Sequence, residues 1–494
     1  MEQAFSPSLA QNEAALRELF SGSDDVIFRS FAVGDHDQFP MLLVCIDNLS
    51  QADVIESGIL TNLMNRARIR SGSLRQVNRL DLAVGEMAEV QTLAEASDAI
   101  LVGDTLLLME GNAYGLVAST KGWPTRGVPA AENEMGVEGP KDAFCESVST
   151  NIVLIRRRLR DPALKVVRPK IGARSRTTVG ILHMEGVTRP AVLRAVTRRL
   201  SAIQTDAILD SGQLAQLLEH RHWSPFPRMQ LTERPDKAAA ALLEGRVILV
   251  VDNSPFVLIL PTTLHLLFQA AEDYYAHWLL MSFLRFSRYV AAVLAVSLPG
   301  LYLALTLYHP NLIPTALALK IAEGRLRVPF PAVVEVLLME LSFELLREAG
   351  VRLPTPLGST IGIVGGILIG QSAVEAGLVG PAVVIVAAAT GICTFVIPNP
   401  SLVNGLRLSK YLVLALSAFL GLWGLWLGWL LLLSHLASLT SCGFPYLYPF
   451  CSGTIDGDAG LADSLLRLPP HRLKRPIFVR PGAKKEGTKE ASDV

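Results

Sequence analysis

Residues Pro329 to Pro398 read PFPAVVEVLLMELSFELLREAGVRLPTPLGSTIGIVGGILIGQSAVEAGLVGPAVVIVAAATGICTFVIP, a charged amphipathic segment running straight into two apolar ones. Leu357–Gly377 and Gly380–Ile397 each approach the length needed to cross hydrocarbon, so this order predicts a membrane protein with a polar path. Glu340, Glu344 and Glu348 recur every fourth residue and share one helical face beside Arg347. Charges at membrane depth face a water-filled cavity or a partner, and in a ring of subunits such a stripe stacks into carboxylate rings, one way to build a cation pathway. The same spacing fits a helix lying at the interface, its acids in water and Arg347 bridging Glu344 or Glu348. In the next segment Gly358, Gly362, Gly366 and Gly370 form a small-residue ribbon that lets another helix approach closely, within one subunit or between subunits. Gln371 and Glu375 at its end point to a cavity or the interface.

Outward from this stretch, Tyr289–Tyr308 and Tyr411–Leu433 are also long and apolar enough to span. Two further segments are ambiguous: Phe256–Ala271, which contains Pro261 and His265, and the amphipathic Ala332–Ala349. The N-terminus carries no basic region followed by an apolar one, so no secretory signal is expected. The basic tail, with Arg472, Lys474, Arg475, Arg480, Lys484, Lys485 and Lys489, favours the cytoplasmic side. With both ends cytoplasmic the crossings must be even, four or six. Trp423, Trp426 and Trp429, interleaved with Gly421, Gly424 and Gly428, read as packing residues.

The first half of the 494 residues carries most of the charge and reads as soluble; a mean hydropathy of +0.37 with 18% charged residues suits a chain only partly in lipid. This half matches itself. Ile100–Val117 aligns with Leu242–Ile259, placing Gly103 on Gly245, Glu110 on Asp252 and Tyr114 on Phe256, and Met41–Ile55 aligns with Val179–Leu193, placing Asp47 on Glu185. The expected architecture is α+β: duplicated cytoplasmic α/β units at 1–130 and 177–255, a basic connecting segment at 131–176, a multi-pass helical membrane domain at 256–434, and a C-terminal loop and basic tail at 435–494. The cations from Arg156 to Arg176 read as a solvated face or a contact with anionic lipid or a neighbouring subunit; without interleaved aromatics or a recognition motif, nucleic acid is not expected. No phosphate-binding, dinucleotide, zinc-protease or nucleophile-elbow motif is present, so an enzyme is disfavoured and no cofactor is implied. His220 and His222 lack accompanying ligands, so no metal site is expected, and the five cysteines give no disulfide framework.

The strings SVSTNIVLIRRRLRDPALK, WSPFPRMQLTERPD, LLEGRVILVVDNSPFVLILP, QAAEDYY, the opening stretch, GSTIGIVGGILIGQSAVEAG and SCGFPYLYP resemble the A subunits of bacterial spore germinant receptors, the GerA family, from about Val26 to Pro476. The AF-type protein of stage V sporulation shares these strings and is associated with dipicolinic-acid release. The resemblance implies a multi-pass protein of the spore inner membrane with both termini on the spore-core side. It further implies a homo-oligomeric, cation-conducting element working with a B subunit that binds nutrient and a C-subunit lipoprotein, or with other germination membrane proteins. Glu138-Gly139-Pro140 departs from the family's Arg-Gly-Pro, and Cys145 replaces its Thr, which puts any subunit contact of that Arg in doubt. An ion pathway is expected at Glu340, Glu344, Arg347 and Glu348, with assembly contacts at Gly358, Gly362, Gly366 and Gly370. A non-conducting scaffold recruiting partners through the soluble half, or a transporter, are the alternatives.

Overall fold

The computed structural model describes residues 3–34, 39–65, 73–75, 84–122, 134, 138–219, 223–352, 370–451, 463–467 and 469. They form two compact units, one of residues up to 219 with 229–261, the other of 223–228 with 262–469. The first unit opens with α1 (Leu9–Leu19), β1 (Val26–Val33) and β2 (Phe39–Ile46). A π-helical turn (Val54–Leu60) then runs into α2 (Thr61–Asn65), followed by β3 (Met87–Val90), α3 (Leu93–Val102), β4 (Thr105–Met109) and β5 (Gly115–Ala118). The strands pair antiparallel in the order β1-β2-β4-β5-β3. Alternation along β2 and β4 sends Leu42, Val44, Leu106 and Leu108 to the face packed by Leu16 and Ile100, while Met41, Leu43, Leu107 and Met109 meet Ile59 and Leu63 on the other. Both faces are covered, which is why β4 reads as an unbroken apolar run. A capping box between Thr92 and Glu95 starts α3, and Gly103 ends it in the left-handed region.

A second sheet follows from α4 (Val148–Arg156), β6 (Leu164–Val167), β7 (Lys170–Ile171), β8 (Thr177–Met184), α5 (Pro190–Ser201) and α6 (Ser211–Leu218), then β9 (Gln230–Thr232), α7 (Pro235–Leu243), β10 (Val247–Val251) and β11 (Val257–Leu260). Its order, β6-β8-β10-β11-β9 with β7 on β8, repeats that of the first sheet. The likeness reaches single hydrogen bonds. Glu110 after β4 accepts the first amide of α1, from Leu9, at 2.8 Å, and Asp252 after β10 accepts the first amide of α4, from Val148, at 3.2 Å. Asn12 closes a side-chain ring on Ser6, and Asn151 closes the same ring on Cys145.

Two expected boundaries are corrected. Residues 131–176 are not a basic connector: α4, β6 and β7 lie there, the first pieces of the second sheet. Arg156, read as the start of a cationic strip, is buried in a bidentate pair with Asp25, while Arg158 pairs with Asp142 and Arg168 with Asp47. Nor does the helical domain begin at 256, because β11 completes the second sheet and the units divide after Pro261.

The helical unit contains α8 (Leu264–Leu267), α9 (Trp278–Leu303) with a π-turn to Tyr308, α10 (Thr315–Arg325), α11 (Ala332–Arg352), α12 (Pro381–Phe395), α13 (Pro400–Leu420) and α14 (Leu422–Ser438). Phe256–Ala271 is therefore a strand and a short helix rather than a span. Tyr411–Leu433 is not one span either: Gly421, at φ +62, ψ −136, reverses the chain between α13 and α14. A side chain at Gly424 would strike the Leu416 carbonyl, and one at Gly428 would press on Val413, so these glycines let the two helices pack back to back. Trp278–Tyr308 and Pro400–Leu420 are long and apolar enough to cross a membrane; Pro381–Phe395 and Leu422–Ser438 are apolar but shorter. The segment after α14, expected as loop, folds into the hairpin β12 (Thr440–Ser441) and β13 (Phe444–Pro445) around Cys442 and Gly443, both at positive φ. It buries Tyr446 against Phe268 and Leu436.

Candidate functional site

The acid-bearing stretch is α11, and three of its glutamates, Glu335, Glu340 and Glu344, meet basic side chains of neighbouring helices. Glu335 is fully buried, accepting Arg325 Nε at 3.2 Å and the Gly380 amide at 3.0 Å, which ties α11 to α10 and to the start of α12. One turn and a half on, Glu340 is 4% exposed and its Oε2 accepts Lys410 Nζ of α13, itself 6% exposed at the side chain. One turn further, Glu344 takes Arg407 through two contacts, Nε to Oε2 at 3.1 Å and Nη2 to Oε1, and Arg407 Nη1 also donates to Asn404 at 3.0 Å. As the glutamates ascend α11 their partners descend α13, so the helices run antiparallel with an ion pair at each of two successive turns.

Arg347 lies elsewhere. Its guanidinium sits 5.7 Å from the Phe395 ring centroid, and the counter-charges to Glu340 and Glu344 come from α13. Glu348 is exposed. Of the glycine ribbon, Gly370 is buried, and a side chain there would meet Val384 of α12 at 3.3 Å, which is packing within one subunit. Gly358, Gly362 and Gly366 lie outside the described residues, as do His220 and His222. Gln371 and Glu375 are exposed and bonded to each other at 2.8 Å.

A second buried cluster sits at the start of α9. Asp273 accepts Arg288 at 2.7 Å and lies 3.4 Å from Arg285, Arg285 reaches Asp463 at 2.9 Å, and Arg467 donates to the carbonyls of Ala276 and Tyr274. This fastens the 463–467 segment to the helix. Among the described residues no group of three or more His, Cys, Asp or Glu could hold a metal ion. The thiol of Cys45 is pushed up to about 11 by burial and by Asp47, and so stays protonated at neutral pH.

The family model described as Bacillus/Clostridium GerA spore germination protein matches residues 14–478. The chain belongs to the GerA family. Among relatives of this GerA-family chain, Spore germination protein KA of Bacillus subtilis (strain 168) is 37% identical over 94% of the chain and 85% of its own length. Uncharacterized membrane protein YfkQ of the same strain is 36% identical over 90% and 86%. The crystal structure of the N-terminal domain of the A subunit of the Bacillus megaterium spore germinant receptor GerK3 aligns with 28% identity and a TM-score of 0.42, covering 52% of the chain and 96% of that domain.

The GerA-family chain thus pairs its acidic stripe with two residues the sequence reading passed over. A signal for them is in the chain: Arg407 and Lys410 stand three apart, on one helical face, just ahead of the apolar run that begins at Tyr411. A span that begins at Tyr411 excludes both.

Proposed function

We propose that this chain is the membrane subunit of a spore germination receptor complex and forms an oligomeric cation-conducting pathway opened during nutrient-triggered germination. The observation that carries the reading is the ion-pair ladder between α11 and α13, with Glu340–Lys410 buried and Glu344–Arg407 half-buried, inside a helical unit that exposes many large apolar side chains. Phe283, Ile385, Ile392, Phe419, Trp423 and Trp426 all project outward. A body with charge inside and hydrocarbon outside is stable in lipid and ill suited to water. In the expected packing role only Trp429 takes part, donating to Ser297 Oγ at 2.8 Å. The reading places the chain across the spore inner membrane several times with both termini on the core side. Its partners are further copies, a nutrient-binding B subunit and a C-subunit lipoprotein. Membrane placement is supported by the membrane-protein relative, and the germination role by the germination proteins of the family.

The test is conductance of the purified chain in planar bilayers, comparing wild type with Glu340→Gln/Glu344→Gln. Discrete cation currents that shrink or lose selectivity in the double variant are expected. Currents unaltered by the variant would remove the stripe from the path. The pairing of both glutamates also favours a second reading, a scaffold that conducts nothing, and silence from the chain together with its B and C partners would establish that instead.

A further inference from the structure

We propose that the Glu340 carboxylate is a binding site for a monovalent cation of potassium's size, and that the Lys410 ammonium occupies it here as a tethered blocking ion. The proposal rests on the conducting reading for its role in flux, but the binding itself does not. Three observations carry it. The Glu340 carboxylate is buried and only half used: Oε2 accepts Lys410, while Oε1 is buried with no hydrogen-bond partner. A buried carboxylate normally fills its acceptor sites, so the orphan oxygen is capacity left for a second ligand contact.

The two rungs of the ladder also differ in kind. Arg407 holds Glu344 with a planar guanidinium, Nε donating to Oε2 at 3.1 Å, a directional geometry that a spherical ion cannot copy. Lys410 offers a compact point charge on a flexible stem, which a bare cation can replace one for one. Ammonium and potassium ions are nearly the same size. Lys410 Nζ also lies 4.9 Å from the Tyr411 ring centroid, which gives the displaced ammonium an aromatic face to rest on. The charge selects the class of ligand: one carboxylate balances one positive charge, and among the described residues no cluster of carboxylates gathers as a divalent ion needs.

The experiment is thermal unfolding of the full chain in detergent, in KCl against choline chloride at equal ionic strength, for wild type, Lys410→Met, Lys410→Arg and Lys410→Met/Glu340→Gln. The midpoint of Lys410→Met is expected to rise by about 3 °C or more in KCl over choline chloride. Wild type, Lys410→Arg and the double variant are expected to show no such rise. Equal midpoints for Lys410→Met in both salts overturn the proposal, as does the same rise in the double variant. Where Lys410→Met folds only in KCl, that rescue is itself the binding signal; failure in both salts while the double variant folds overturns the site. Bilayer recordings separate the two readings. A potassium-dependent midpoint without current keeps the site and removes the path, whereas wild-type current without the midpoint shift keeps the path and removes the site.

Discussion

Arg156 and His183 show how far burial changes the meaning of a residue. In sequence Arg156 heads a run of cations that reads as a solvated strip; in the fold its guanidinium is inside, held bidentate by Asp25. Removing one partner of a buried pair leaves the other charge in a low-dielectric interior, so Arg156→Ala is expected to cost about 3–5 kcal/mol in denaturant unfolding of the chain, read on the transition of the first unit. A cost below about 1 kcal/mol would mean water reaches Asp25 in the folded state. His183 on β8 has a buried Nδ1 without a partner, and its pKa is lowered by burial and by Lys165, against an opposing effect of Glu185. The unfolded chain therefore binds the proton more readily. Stability is fully present above the ordinary histidine range and is lost as pH falls through it toward the depressed folded value. Melting midpoints between about pH 7.5 and about pH 5 should fall more for wild type than for His183→Gln; coincident curves would refute the assignment.

At the scale of elements, the duplicated sheets share a device for starting their first helices. The side chain of the N-cap residue Ser8 makes no cap hydrogen bond to α1; a carboxylate just after β4 serves the first amide instead, and Asp252 does the same for α4 while Ser147 supplies a second cap. Glu110→Ala and Asp252→Ala are each expected to destabilise by about 1 kcal/mol, through a lost N-terminal acceptor and a lost charge at the helix dipole. Glu110→Gln should recover part of the loss. Chemical denaturation of the three variants tests this, and the cost at Glu110 should be the greater because no second cap stands in for it. The alignment of Glu110 with Asp252 was visible in the chain, but its purpose was not, since the amides it serves lie more than a hundred residues away.

At the scale of the whole molecule, the helical unit buries the Glu340–Lys410 and Asp273–Arg288 pairs and displays many aromatic and aliphatic side chains, so on the proposed membrane reading the chain should resist alkaline extraction and need detergent for release. Recovery in the aqueous alkaline wash would contradict the membrane reading. Composition and periodicity determined much of this protein: the split between a charged half and an apolar half, the internal repeat, the acid stripe on one helical face and its small-residue neighbour. Each of these is local or self-similar, and a linear reading recovers it because helix and strand periods are written in consecutive residues. What only the tertiary structure decided is partnership. That Arg156 belongs to Asp25, and that Lys410 and Arg407 neutralise Glu340 and Glu344, depend on residues far apart in sequence, while the pairing of β11 into the second sheet and the reversal at Gly421 depend on backbone geometry that hydropathy does not record. Whether a charge is solvated, lines a path or is matched is set by the dielectric and the partner around it, and both come into being only when the chain has folded.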